Sequence, residues 1–95
     1  MGIARAAEGD LAMRLNLASV VTVDLHGKTA AQARVAIDAA LRRAGGGVYR
    51  VRLIHGYRLG AAIKDMIFTV YVHHRKVLRL EPVNDGATDL VLREL

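Results

Sequence analysis

Two short strings in this 95-residue chain combine the residue types that proton transfer and phosphate binding require. Asp24 and His26 stand two apart in Val23-Asp24-Leu25-His26-Gly27, and His55 sits in Ile54-His55-Gly56. On an extended strand, residues two apart share a face, so Asp24 and His26 point one way and Val23 and Leu25 the other. A carboxylate beside an imidazole fixes its tautomer or favours its charged form, the pairing that general acid–base catalysis uses. The same carboxylate is a ligand type that magnesium accepts through water. Cations follow each His-Gly pair: Lys28 after the first, Arg58 and Lys64 after the second. Imidazoles, cations and glycine turns together suit a phosphodiester.

Plainer readings stand beside these. A His before Gly at a strand end can simply cap the helix that follows, and Asp24 can be a carboxylate bonded to loop amides. A zinc site from His26, His55, His73 and His74 is disfavoured, because adjacent histidines rarely ligate together and the chain has no Cys. His73-His74-Arg75-Lys76 reads as a solvated basic loop. Gly56 to Gly60 spaces two glycines as phosphate loops do, but no Walker Lys-Ser/Thr follows.

The surrounding sequence must position these groups. The β-branched run Val20 to Val23 leads into Asp24, Leu25 and His26, which predicts a strand ended by Gly27. Thr29-Ala-Ala-Gln32 matches a capping box, and Ala33, Ile37, Ala40, Leu41 and Ala44 follow at helical spacing. Gly45-Gly46-Gly47 is expected to stop that helix in the left-handed conformation. A second strand is predicted over Val48–Ile54, where Tyr49, Val51 and Leu53 alternate with Arg50 and Arg52. From Gly60 onward, Ile63, Met66, Ile67, Val70 and Tyr71 recur as a helix requires, against the local β-propensity of Phe68 to Val72. Val77 to Val83 and Thr88 to Leu95 predict two more strands about the turn Asn84-Asp85-Gly86.

The order β-α-β-α-β-β implies an α/β (α+β) two-layer sandwich: a four-stranded mixed sheet with both helices on one face. The strands ending at His26 and His55 are expected to be parallel neighbours. That places both imidazoles on the carboxyl edge of the sheet, where α/β folds bind ligands and helix N-termini offer free amides. The other face is left open, for residues 1–17 or for another copy in a homo-oligomer. Residues 1–17, without a clean period, read as an arm or short helix, and residues 18–95 as the domain.

Composition narrows the partners. Fourteen Lys and Arg against nine Asp and Glu give a net charge of +5, which draws a small domain to polyanions, nucleic acid foremost. With one Phe, three Tyr and no Trp, a base-stacking platform is poorly supplied. The absence of Cys excludes disulfides, thiolate metal sites and a cysteine nucleophile. No apolar run reaches the ~18 residues of a membrane span, and residues 1–17 lack an uninterrupted signal-peptide core. A cytoplasmic location is the expectation.

From about residue 20 to residue 95 the chain resembles the Small MutS-Related (Smr) domain. Val23-Asp24-Leu25-His26-Gly27 is similar to the family's first signature, leucine-aspartate-leucine-histidine-glycine. Ile54-His55-Gly56 with Gly60 resembles the second, histidine-glycine-x-glycine-x-glycine, and Gly86-Ala87-Thr88 the closing glycine-x-threonine strand. The second signature departs at Arg58, which replaces its middle glycine, and at Leu59 before the last. The resemblance implies a fold similar to the C-terminal domain of bacterial translation initiation factor three. It also implies nucleic-acid binding, with DNA-nicking or RNA-cleaving endonuclease activity in several members. On that basis Asp24, His26 and His55 are the catalytic candidates, with Asp24 able to hold magnesium or manganese. Gly27, Lys28, Gly56, Arg58, Gly60 and Lys64 are the nucleic-acid-binding candidates. The rival reading is a non-catalytic binding or adaptor module that uses the same rim; the intact Asp24-x-His26 favours the enzyme and the altered second signature the adaptor.

Overall fold

The computed structural model describes residues 19–57 and 61–94. The arm expected over residues 1–17, and the roles expected of Arg58 and Gly60, lie outside the described residues. The elements are β1 (Ser19–Asp24), α1 (Ala30–Arg43), β2 (Val48–Ile54), α2 (Ala61–Val70), a 3-10 turn (Tyr71–His73), β3 (Arg79–Asn84) and β4 (Ala87–Val91). The four strands form one sheet in the order β1-β2-β4-β3. As expected, β1 and β2 are parallel neighbours, with Asp24 opposite Ile54. β4 runs antiparallel to both β2 and β3, so the sheet is mixed.

Each difference from the sequence expectation has a physical cause. β1 stops at Asp24 rather than His26 because the Asp24 carboxylate accepts the His26 amide at 3.1 Å, which turns the chain. The Lys28 amide then reaches the Leu25 carbonyl at 3.1 Å across Gly27, whose φ of 77° suits glycine. The Thr29–Gln32 capping box forms as predicted. The helix stop does not. α1 ends in an extended Ala44, and among the described residues only Gly27 and Gly56 have positive φ. Lys76, distant in sequence, donates its Nζ to the Leu41 carbonyl at 2.7 Å and satisfies the helix end that a left-handed glycine otherwise serves.

α2 enters the run of high β-propensity as far as Val70, and the 3-10 turn continues it, because Ile63, Ile67 and Tyr71 fall on one buried stripe and tertiary burial outweighs propensity. β3 and β4 are shorter than predicted and bracket a reversal in which the Asn84 side chain accepts the Gly86 amide at 2.8 Å. Pro82, which has no amide to donate, sits on the edge strand β3.

Both helices cover one face of the sheet. Ile37 and Leu41 from α1, Ile63 and Ile67 from α2, and Val51, Leu53 and Leu90 from the strands form a single buried cluster. Tyr71, fully buried, closes it and donates its hydroxyl to Asp38 at 2.6 Å. The face away from the helices is an ion-pair lattice. Asp89, wholly buried, accepts from Arg52 Nε at 2.8 Å and from Arg50 at 3.0 Å, and Arg50 also donates to Glu81 at 2.6 Å. Arg79 joins Glu81 at 2.8 Å and pairs with Glu94. Burial opposes ionisation of Asp89, but hydrogen bonds from Arg52 and Arg50 outweigh it and hold the carboxyl below its ordinary range.

Candidate nucleic-acid interface

The carboxyl ends of β1 and β2 meet at one edge of the sheet, and the turns that follow are locked together. The Leu25 amide donates to the Ile54 carbonyl at 2.8 Å, and the Gly86 carbonyl accepts from both His55 and Gly56, at 2.9 and 3.0 Å. Gly56 has φ 88°, a conformation that other residues adopt only under strain. A side chain begun there would lie 3.8 Å from His26 Cβ, so the two signatures touch.

Asp24 and His26 form a pair at this rim. Asp24 Oδ1 accepts the His26 ring Nδ1–H at 2.6 Å as well as the backbone amide. The side chains remain 60% and 74% exposed, so the pair faces solvent rather than a closed pocket. Hydrogen bonds from His26 hold the Asp24 carboxyl below its usual range. With Nδ1 committed to Asp24, Nε2 is the nitrogen left for a ligand.

His55 lies on the same edge but in a different environment. The sequence reading expected both imidazoles to project from the rim; His55 is only 2% exposed and turned under it. Both ring nitrogens are satisfied there: Nδ1–H donates to the Gly56 carbonyl at 3.1 Å, and Nε2 and the Thr88 hydroxyl share a hydrogen bond at 3.0 Å. The cause is strand alternation. Val51, Leu53 and His55 face the helices, whereas Asp24 follows Thr22 on the other side.

Beside His55 opens a cleft of about 310 Å³, lined by Gly56, Tyr57, Ala61, Lys64 and Asp85. Lys64 thus reaches the rim as expected, and Lys28 is exposed on the other turn. The α1 capping box uses the Thr29 and Gln32 amides, which leaves those of Ala30 and Ala31 at the helix start. Sequence reasoning missed Tyr57 and Asp85 as cleft walls and Thr88 as the partner of His55. The glycine-x-threonine string was the available signal: Gly86 is glycine where the Tyr57 ring approaches to 3.0 Å of any added Cβ.

Among the described residues no three His, Cys, Asp or Glu side chains group to hold a metal. Asp24 has one carboxylate oxygen outside its bonds to His26, a donor that fits magnesium carried mainly by substrate phosphates and not a resident cage. His73 ends the 3-10 turn after α2 and His74 caps it, stacking on Tyr71 at 5.9 Å. No described helix is long and apolar enough to cross a membrane.

Order and rim together define a class: a small two-layer domain with two strand–turn–helix units whose glycine turns meet at one sheet edge. The chain belongs to the Smr domain family, whose model matches residues 23–92. Its fold is similar to the crystal structure of the Smr domain of Thermus thermophilus MutS2, with a TM-score of 0.69 and 30% sequence identity over 78% of this chain and 99% of that one. No curated protein sequence matches the chain.

Proposed function

We propose that this Smr domain binds nucleic acid at the rim and cleaves a phosphodiester bond there, with the Asp24–His26 pair moving the proton. The observation that carries this reading is the 2.6 Å bond between Asp24 Oδ1 and His26 Nδ1, which frees Nε2 on an exposed edge flanked by Lys28 and Lys64. Nε2 takes the proton from an attacking hydroxyl, of water or of a ribose, as its oxygen bonds to phosphorus. The bond from phosphorus to the leaving oxygen breaks, and the imidazolium returns a proton to that oxygen. Asp24 keeps the tautomer and balances the imidazolium. Lys28, Lys64 and the amides at the start of α1 neutralise charge developing on the phosphate. His55 serves this site as a positioning residue, holding the Gly56 turn through the bond from its Nδ1–H to the Gly56 carbonyl.

The adaptor reading is supported by the openness of the Asp24–His26 pair, which no lid covers among the described residues, and by Arg58 in place of a signature glycine. Incubation of the pure protein with supercoiled plasmid and with structured RNA, with and without magnesium and manganese, separates the two. Cleavage that His26→Ala removes supports the enzyme. Binding without cleavage under every condition supports the adaptor and ends the catalytic reading.

A further inference from the structure

The positive charge of this domain is unevenly placed. On the sheet face three arginines, Arg50, Arg52 and Arg79, meet three carboxylates, Asp89, Glu81 and Glu94, and cancel. On the helix layer the balance differs. Arg34, Asp38 and Arg42 recur four residues apart along α1 and therefore form one stripe. They line a groove of about 340 Å³ against Tyr71, His74, Arg75 and Lys76. Arg75 and Lys76 also line a second cleft, of about 290 Å³, that continues to Arg93 and the turn at Gly45 and Gly46. The one carboxylate in this track, Asp38, is engaged by the Tyr71 hydroxyl, and no ion pair among the described residues involves Arg34, Arg42, Arg75 or Arg93.

We infer that this track along α1 is a second phosphate-binding surface, which carries the sugar–phosphate backbone of a duplex whose near end reaches the rim. The inference rests on the proposed function and extends the contact to the far end of α1. Fourteen residues of helix span about 21 Å, the rise of roughly six base pairs along one strand. A base-stacking role does not fit. The aromatic ring of the groove, Tyr71, is fully buried, so the exposed chemistry is guanidinium and imidazole, suited to phosphates irrespective of sequence. Lys76 has a structural duty at the end of α1, which leaves the arginines as the ligand-binding groups.

The test is fluorescence anisotropy with a labelled 20-base-pair duplex, one arm DNA and one arm RNA, across a salt series. Four proteins are compared: the unmodified chain, Arg34→Ala/Arg42→Ala/Arg75→Ala, Asp38→Asn, and the rim variant Lys28→Ala/Lys64→Ala. For duplex DNA the triple variant is expected to flatten the plot of log Kobs against log salt by about 0.9 per lost phosphate contact, so by about 2 to 3 in all. Asp38→Asn, which keeps an acceptor for Tyr71 and removes a repulsive charge, is expected to bind more tightly. Should the triple variant fold poorly, Arg75→Ala alone, in an exposed loop, is expected to flatten the slope by about 0.9. An unchanged slope with tightness also unchanged in Asp38→Asn, while the rim variant weakens, overturns the track and leaves the rim reading intact. No duplex binding by the unmodified chain overturns both. The arm with the steeper slope identifies DNA or RNA as the source of the phosphates.

Discussion

His26 stands directly beside Gly56: a side chain added at Gly56 would begin 3.8 Å from His26 Cβ, an ordinary contact rather than a clash. The demand for glycine at this position therefore comes from its φ of 88° and not from crowding. Gly56→Ala is expected to destabilise the domain by about 1–2 kcal/mol through backbone strain. Gly45→Ala, which has open space and no positive φ, is expected to be close to neutral. Denaturant melts of the two variants check this; equal stabilities would contradict the strained turn.

The buried Asp89 makes the sheet face acid-sensitive. Its carboxyl titrates below its ordinary value of 3.8, so its contribution is fully present above that value and is lost as pH falls through the lower, folded value. Asp89→Asn leaves two guanidinium groups without their shared anion and is expected to cost about 3 kcal/mol or more. Thermal melts from pH 7 to pH 2 should show the unmodified chain losing stability below about pH 4 and Asp89→Asn losing less over that range.

Thr88→Val tests what His55 does. Removing the hydroxyl leaves His55 Nε2 buried without its partner, a loss of about 1–3 kcal/mol. If His55 positions the Gly56 turn, Thr88→Val lowers the melting temperature while nucleic-acid binding at low temperature persists. A variant of unchanged stability that no longer cleaves would instead place His55 in the chemistry.

Lys28→Ala and Lys64→Ala address the rim separately. Each is expected to make the salt dependence of duplex DNA binding shallower by about 0.9 with little effect on melting. A slope that neither substitution moves would remove the rim from the binding surface.

Much of this was legible in the chain itself, for physical reasons that particular residues illustrate. Thr29 and Gln32 cap α1 because a capping box is a local device, complete within four residues. The adjacency of β1 and β2 follows from a strand–helix–strand crossover. The stop of α1 was misread because its determinant, Lys76 on Leu41, is far away in sequence. The pairing of Asp24 with His26 was visible from spacing, but the burial of His55 was not. A motif that writes His-Gly twice does not reveal that the second histidine falls on the helix side of the sheet, where Thr88 waits across the strand pair. The Arg50–Asp89–Glu81 lattice was hidden for the same reason, since its partners come from three strands.

The proposed function requires the Asp24–His26 pair to perform proton transfer at a nucleic-acid-binding rim. It is tested most directly by single-turnover cleavage of an end-labelled substrate, plasmid or structured RNA, by the unmodified chain and by Asp24→Asn, with binding and melting measured on the same samples. Asparagine keeps an acceptor for His26 and removes the charge, so the expected rate is lower by about 10²- to 10⁴-fold, with affinity no weaker and melting temperature unchanged. Asp24→Asn cleaving as fast as the unmodified chain would contradict it.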